Sequence, residues 1–432
     1  MQKPRSNGKA EQTASEPTPW LKKLGPGLIT GAADDDPSGI ATYSQAGAQF
    51  GFGMLWTLLF TYPLMVGIQM VSARIGRVTG HGLATNIRKH YPAWLLYLLV
   101  CLLLLANTIN IAADIAAMGD AARLSLGGSA HVYAVIFGMV SVVLQVFVPY
   151  SRYVSVLKWL TLALLAYVAT VFIVHIPWAR MLSKALLPEL VWQPAYVTTM
   201  VAVFGTTISP YLFFWQASQE VEDMRAIPGA RPLKVDPGQA RADFSRIKTD
   251  TYIGMGFSNL VAFFIMLTTA VTLNAHGVTD VQTSAQAAQA LKPIAGDFAF
   301  MLFGMGIVGT GLLAIPVLAG SAAYAMAGAF HWRSSLEHEL ATAPRFYGII
   351  IVSTLAGIAL GFMPIDPIRA LYWSAVINGI ISVPIMVVMM LMAARTDIMG
   401  KLVITRRLKI LGWLATGVMA SAALAMFVMP SA

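Results

Sequence analysis

The sequence predicts an all-α polytopic membrane protein with about eleven transmembrane helices, arranged as two inverted five-helix repeats with helices 1 and 6 broken. Three observations carry this. Of the 432 residues 57% are hydrophobic and only 11% charged, against roughly 25% charged in an ordinary soluble chain. Apolar stretches long enough to span a bilayer recur at approximately 25–48, 53–74, 93–121, 131–149, 154–176, 196–218, 250–274, 298–328, 346–363, 368–394 and 409–430. The first and the sixth of these carry the same oddity near their middle, a polar interruption ending in proline.

Residues 1–24 are polar, without the apolar core and small-residue cleavage site of a secretory signal, and read as a disordered cytoplasmic tail. Spans 1–5 (25–176) form the first repeat and spans 6–10 (196–394) the second. A Pro-, Gly- and Arg-containing cytoplasmic loop, 219–249, lies within the second, and span 11 (409–430) follows it. No residue-by-residue repeat is visible between the halves.

The net charge of +9 reports topology. With the N-terminus in the cytoplasm, 24 of the 29 Lys and Arg fall in inner segments, and only Arg123, Arg180, Lys184, Lys292 and Arg369 fall outside. This positive-inside pattern places the C-terminus outside a cytoplasmic (inner, plasma) membrane and leaves no basic face for nucleic acid. Cys101 stands alone in span 3, so no intramolecular disulfide is possible, and a buried small side chain is expected there. The seven histidines fall at span ends or in loops without ligand spacing, so no histidine metal site is evident.

The interruptions are DDDPSG at 34–39 and GTTISPYLFFWQAS at 205–218. Proline removes a helix donor and clashes with the preceding turn, and in hydrocarbon the freed carbonyls need another partner. Pro37 and Pro210 therefore mark a pair of broken helices in corresponding positions of two halves, the arrangement that builds a transporter's binding site. Pro63, Pro316 and Pro384 are read as simple kinks.

An Asp at mid-membrane costs about 2.5–3.5 kcal/mol, so Asp34, Asp35 and Asp36 must face protein, water or a cation. Successive helical residues lie 100° apart, so the three cannot share one small site. Asp36, beside the proline, is best placed to turn inward, with Asp34 and Asp35 lining the aqueous approach or pairing with polar groups. A carboxylate with freed carbonyls and the hydroxyls of Thr206, Thr207, Ser209 and Tyr211 is an all-oxygen environment suited to a hard divalent cation.

GPGLITGAADDDPSGIATYSQAGAQFGFGMLWTLL (25–59), VSARIGRVTG (71–80), GTTISPY (205–211) and ARTDIMGKL (394–402) together resemble the Nramp family of divalent-metal transporters. The resemblance implies a LeuT-like fold in which a metal is substrate and no cofactor is needed. It matches the family's metal ligands to Asp36, Gly39 and Ser209 and to the carbonyls of Ala33 and Thr206, with Ser38 beside them. Two departures concern those ligands: Asp-Pro-Gly-Asn has become Asp36-Pro37-Ser38-Gly39, and Met-Pro-His has become Ser209-Pro210-Tyr211. The family's asparagine and soft thioether ligands are thus lost. The proton-handling positions change too, to Tyr211, Gln216 and Asn107, and only the helix 3 aspartate is kept, as Asp114.

This pattern resembles the Nramp-related magnesium transporters. The expectation is import of Mg²⁺, with Mn²⁺, by uncoupled uniport; the alternative is a proton-coupled Mn²⁺/Fe²⁺ symporter of the usual family type. A carrier of organic substrates is disfavoured because Asp36 would repel a carboxylate, and no Ser-His, HExxH or paired-Asp motif suggests an enzyme. The expected partners are the divalent cation and the bilayer, the protein acting as a monomer.

Overall fold

A computed structural model describes residues 30–31, 33–148, 160–336 and 340–429. The polar tail, the first residues of span 1 (25–29) and those of span 5 (154–159) lie outside them. No strand occurs among the described residues. Twelve helices carry the architecture: α1 (Pro37–Phe50), α2 (Leu55–Thr79), α3 (Ala93–Leu126), α4 (Ala130–Phe147), α5 (Leu165–Ile173), α6 (Pro194–Thr207), α7 (Pro210–Ala226), α8 (Ala240–Thr272), α9 (Ala299–Phe330), α10 (Pro344–Leu360), α11 (Pro367–Ala394) and α12 (Arg406–Val428). Among the described residues eight stretches are long and apolar enough to cross a membrane, Pro37–Thr79 holding the second expected span and the latter part of the first; the shorter Leu162–Ile173 and Pro344–Leu360 overlap spans 5 and 9.

The two breaks have the same construction. Helix 1 runs to Asp34, opens at Asp35 and Asp36, and restarts at Pro37. Helix 6 stops at Thr207, opens at Ile208 and Ser209, and restarts at Pro210. The residue before a proline is pushed out of the helical region, and both Asp36 (φ −75°, ψ 169°) and Ser209 (φ −78°, ψ 133°) are extended. Proline at the first helical position then costs nothing, since its missing N–H would be unpaired there anyway. Pro63, Pro316 and Pro384, by contrast, sit inside continuous helices. Proline alone does not open a helix in this chain; it does so beside a residue that caps the new start or closes the old end.

The broken helices lie in the middle of the bundle. α1 packs on α8, α11 and α6, and α3 packs on α9, α4, α11 and α10. Close approach depends on glycine at two places near the breaks. A Cβ on Gly31 would stand 2.2 Å from the carbonyl carbon of Gly254, and one on Gly205 would stand 2.0 Å from the carbonyl oxygen of Ala375 and 2.5 Å from the amide of Gly379. Backbone atoms cannot rotate aside as a side chain can. Gly205→Ala is therefore expected to destabilise the protein by at least about 1–3 kcal/mol, read as a lowered melting temperature in detergent. Gly417→Ala, inside α12 where the added methyl meets nothing within 4 Å, should leave melting unchanged or raise it slightly.

Cys101 differs from expectation: it is exposed, on a flank of α3 that neighbours do not cover. In a membrane protein an apolar outward position needs no burial, which is why composition alone misplaced it.

Candidate metal site at the helix breaks

Asp36 is the centre of the site. It caps α1, one carboxylate oxygen accepting the Gly39 N–H at 2.7 Å. The other accepts from the Asn110 side-chain amide on α3 at 3.0 Å. The same Asn110 nitrogen donates to Asp114 at 3.2 Å, and the Asn110 oxygen accepts from Asn378 of α11 at 3.4 Å. A neutral amide thus stands between two carboxylates, all fully buried. One oxygen of Asp114 has no hydrogen-bond partner.

Helix 6 supplies the opposite wall. A Cβ on Gly39 would lie 3.1 Å from the Thr206 hydroxyl, 3.2 Å from the Tyr43 ring and 3.5 Å from an Asp36 carboxylate oxygen, so these groups surround one point. Even one added methyl would be tight there, so glycine is what lets the two breaks approach at this point. The carbonyls of Ala33 and Thr206 are both occupied by hydroxyls: Tyr211 donates to Ala33 at 3.2 Å, and Ser209 donates to Thr206 at 2.9 Å and to Gly205 at 3.0 Å. Each carbonyl retains a second lone pair. Ser209 accordingly faces its own helix end as a closing hydroxyl.

Other residues singled out from sequence are turned elsewhere. Ser38 donates to the Leu371 carbonyl at 3.2 Å and accepts from Ser374 at 3.3 Å, which ties α1 to α11 and takes its side chain off the metal set. Asn107 donates to the Leu318 carbonyl and to the Ser321 hydroxyl, both at 2.8 Å, joining α3 to α9. Gln216 accepts from Thr30 and, at 3.5 Å, from Gln69. Asp34 and Asp35 do not line open water: they are 1% and 4% exposed, and Ser258 of α8 bonds to both, at 2.6 and 3.1 Å. The helix opens at Asp35, which lets Asp34 and Asp35 share Ser258 on α8 while Asp36 turns toward Asn110 on α3.

The electrostatics are one-sided. The ion pairs among the described residues join Arg77 to Asp243, Arg123 to Asp120, Lys184 to Glu189, Arg246 to Glu220 and Asp223, and Arg395 to Asp397. None reaches Asp34, Asp35, Asp36 or Asp114. Buried carboxylates without basic partners call for a cation or protons, since an isolated buried charge is too costly to keep. No cage of three or more His, Cys, Asp or Glu is present among the described residues. A cation at Asp36 meets a single carboxylate there, with neutral oxygens around it.

Asn110, Asn378, Tyr43 and Ser258 were not singled out from sequence. Tyr43 and Asn110 left a signal: Tyr43 is seven residues, two turns, past Asp36, and Asn110 is one turn before Asp114. For Asn378 and Ser258 no local pattern points to the site.

Two helices broken at facing points, around a buried carboxylate with no basic partner, define a secondary transporter of LeuT-like fold. Within that class the chain belongs to the Nramp family: residues 27–429 match the family described as natural resistance-associated macrophage protein-like. It is a transporter and not an enzyme, set in the membrane by multiple passes. It is similar to the divalent metal cation transporter MntH of Klebsiella pneumoniae (strain 342), 26% identical over 413 residues, which cover 93% of this chain and 92% of that protein. The fold resembles the Eremococcus coleocola manganese transporter in complex with an aromatic bis-isothiourea substituted compound, with a TM-score of 0.73 at 16% identity over 96% of this chain and 88% of that one. It also resembles MhsT in complex with L-phenylalanine, with a TM-score of 0.57 at 14% identity over 93% of this chain and 97% of that one.

Proposed function

We propose that this transporter imports divalent metal cations through the Asp36 site, Mg²⁺ first and Mn²⁺ beside it, by uncoupled uniport across the cytoplasmic membrane. One observation carries the reading. The space beside Asp36 is bounded by a single carboxylate, hydroxyls, amides and a tyrosine ring, with Gly39 and Ser209 where a ligand set for transition metals would place asparagine and methionine. Mg²⁺ gives up water reluctantly, prefers oxygen, and is typically held by one or two carboxylates with several waters kept. Small residues around one acid suit such a partly hydrated ion, whereas a thioether would favour softer metals.

Access fits the same reading. A recess of about 470 Å³ is lined by residues including Gln45, Gln49, Asp280, Arg369 and Tyr372. Tyr372, in its lining, shares a 2.8 Å hydroxyl contact with the buried Thr199 and follows Leu371, whose carbonyl takes Ser38. With the N-terminus inside and the C-terminus outside, this recess faces outward. The repeats 25–176 and 196–394 would rock around the Asp36 site while 409–430 stands apart and the protein works as a monomer.

A second reading, proton-coupled Mn²⁺/Fe²⁺ symport, is favoured by Asp114, which stays linked to Asp36 through Asn110. Ion choice separates the two. In proteoliposome competition assays the parent should prefer Mg²⁺ or take both ions. Ser209→Met with Gly39→Asn should move the Mg²⁺ to Mn²⁺ ratio toward Mn²⁺ by about tenfold, the effect of roughly 1.4 kcal/mol. The Cβ of that asparagine alone requires the Thr206 hydroxyl and the Tyr43 ring to give by a few tenths of an ångström, and its amide requires both to move further, narrowing the site. An unchanged ratio in a folded double variant would place selectivity elsewhere.

A further inference from the structure

A short helix outside the transport site, Trp178–Leu186, lies between α5 and α6. Met181 and Ala185 are buried against the protein, while Trp178, Leu182 and Leu186, four residues apart, are 50%, 50% and 59% exposed. Arg180 and Lys184, also four apart, lie on the flank opposite that apolar row, because their positions differ by about 180° on a helical wheel. The helix therefore has one flank for protein, one for hydrocarbon and one cationic. That is the layout of a helix lying in the plane of a membrane interface. Leu187, Leu190 and Trp192 continue the exposed apolar surface beyond it.

The cationic flank opens on a recess of about 450 Å³, lined by His175, Arg180, Lys184 and Glu189 together with the Phe50–Gly53 turn, Tyr196 and Asn274. Glu189 pairs with Lys184, whose ammonium keeps two further N–H donors, and Arg180 makes no ion pair among the described residues. These two cations are among the few placed on the side where the chain otherwise avoids Lys and Arg, and Arg123, another of them, is already paired with Asp120 at 2.6 Å. A basic pair retained there against the topological bias, beside an exposed Trp and Leu row at one depth, matches an amphiphile with a phosphate at one end and acyl chains at the other.

We propose that this recess is a binding site for the headgroup of an anionic phospholipid, its phosphate on Arg180 and Lys184 and its chains along the Trp178, Leu182 and Leu186 row. Guanidinium and ammonium donors both suit phosphate. The proposal is independent of which ion is transported.

The test is lipid retention by the full-length detergent-purified protein, counted by native mass spectrometry after addition of phosphatidylglycerol or phosphatidylcholine. The parent should retain phosphatidylglycerol preferentially and melt at a higher temperature with it. Arg180→Gln with Lys184→Gln, both at the surface, should fold normally and lose the preference by roughly thirtyfold, about fivefold per cation. Retention by the double variant equal to that of the parent would overturn the site. Inorganic phosphate raising the melting temperature of the parent as much as phosphatidylglycerol does would also overturn it, by showing a soluble-anion site.

Discussion

Asp36→Asn is expected to reduce divalent-metal uptake in proteoliposomes to the level of empty liposomes, with expression and melting temperature close to the parent. At 4 Å and an effective dielectric of about 20, a carboxylate attracts a divalent ion by roughly 8 kcal/mol before desolvation. Even a third of this is about a hundredfold in affinity. No second carboxylate directly replaces it, because Asn110 separates Asp36 from Asp114 and Asp34 and Asp35 are bonded to Ser258. Folding should survive because asparagine caps a helix as well as aspartate and still accepts the Gly39 N–H, while one buried charge is removed. Asp34→Asn and Asp35→Asn should have milder effects. Normal transport by a well-folded Asp36→Asn protein would show that the ion crosses elsewhere.

Much of this was legible in the sequence because membranes impose strong local rules. Twenty-residue apolar runs gave the helices, and an Asp-Pro and a Ser-Pro step inside such runs gave the breaks, since an interrupted backbone is tolerated there only around a cavity or protein core. The direction of individual side chains was less legible. Ser38 lies between Pro37 and Gly39, yet its hydroxyl reaches α11, and Asn107 is one turn from Asn110, yet it bonds α9. Those orientations follow from which helix packs on which face, a long-range property. Asn110 stands one turn before Asp114 in the sequence, but its bond to Asp36 emerges only when α1 is laid beside α3.

The same link governs the largest mechanistic prediction, that metal entry is not accompanied by protons. A proton passing between Asp36 and Asp114 would have to cross Asn110, an amide that neither gains nor loses a proton at neutral pH. One turn before Asn110 on α3, on the side away from Asp114, Asn107 is committed to the Leu318 carbonyl and Ser321. On helix 6, Tyr211 is held by the Ala33 carbonyl and Gln216 by Thr30; tyrosine titrates near ~10 and glutamine does not titrate, unlike the histidine that suits proton relay at neutral pH. The membrane potential suffices without protons, since a divalent ion crossing 100 mV gains about 4.6 kcal/mol, on the order of a thousandfold accumulation. The measurement is internal pH during Mg²⁺ or Mn²⁺ uptake, in liposomes whose potential is clamped with K⁺ and valinomycin. The expected result is metal entry with constant internal pH, and Asp114→Asn retaining uptake within about twofold because its carboxylate lies one amide away from the ion. Acidification that tracks metal entry and vanishes in Asp114→Asn would make Asp114 a proton carrier and the protein a metal–proton symporter.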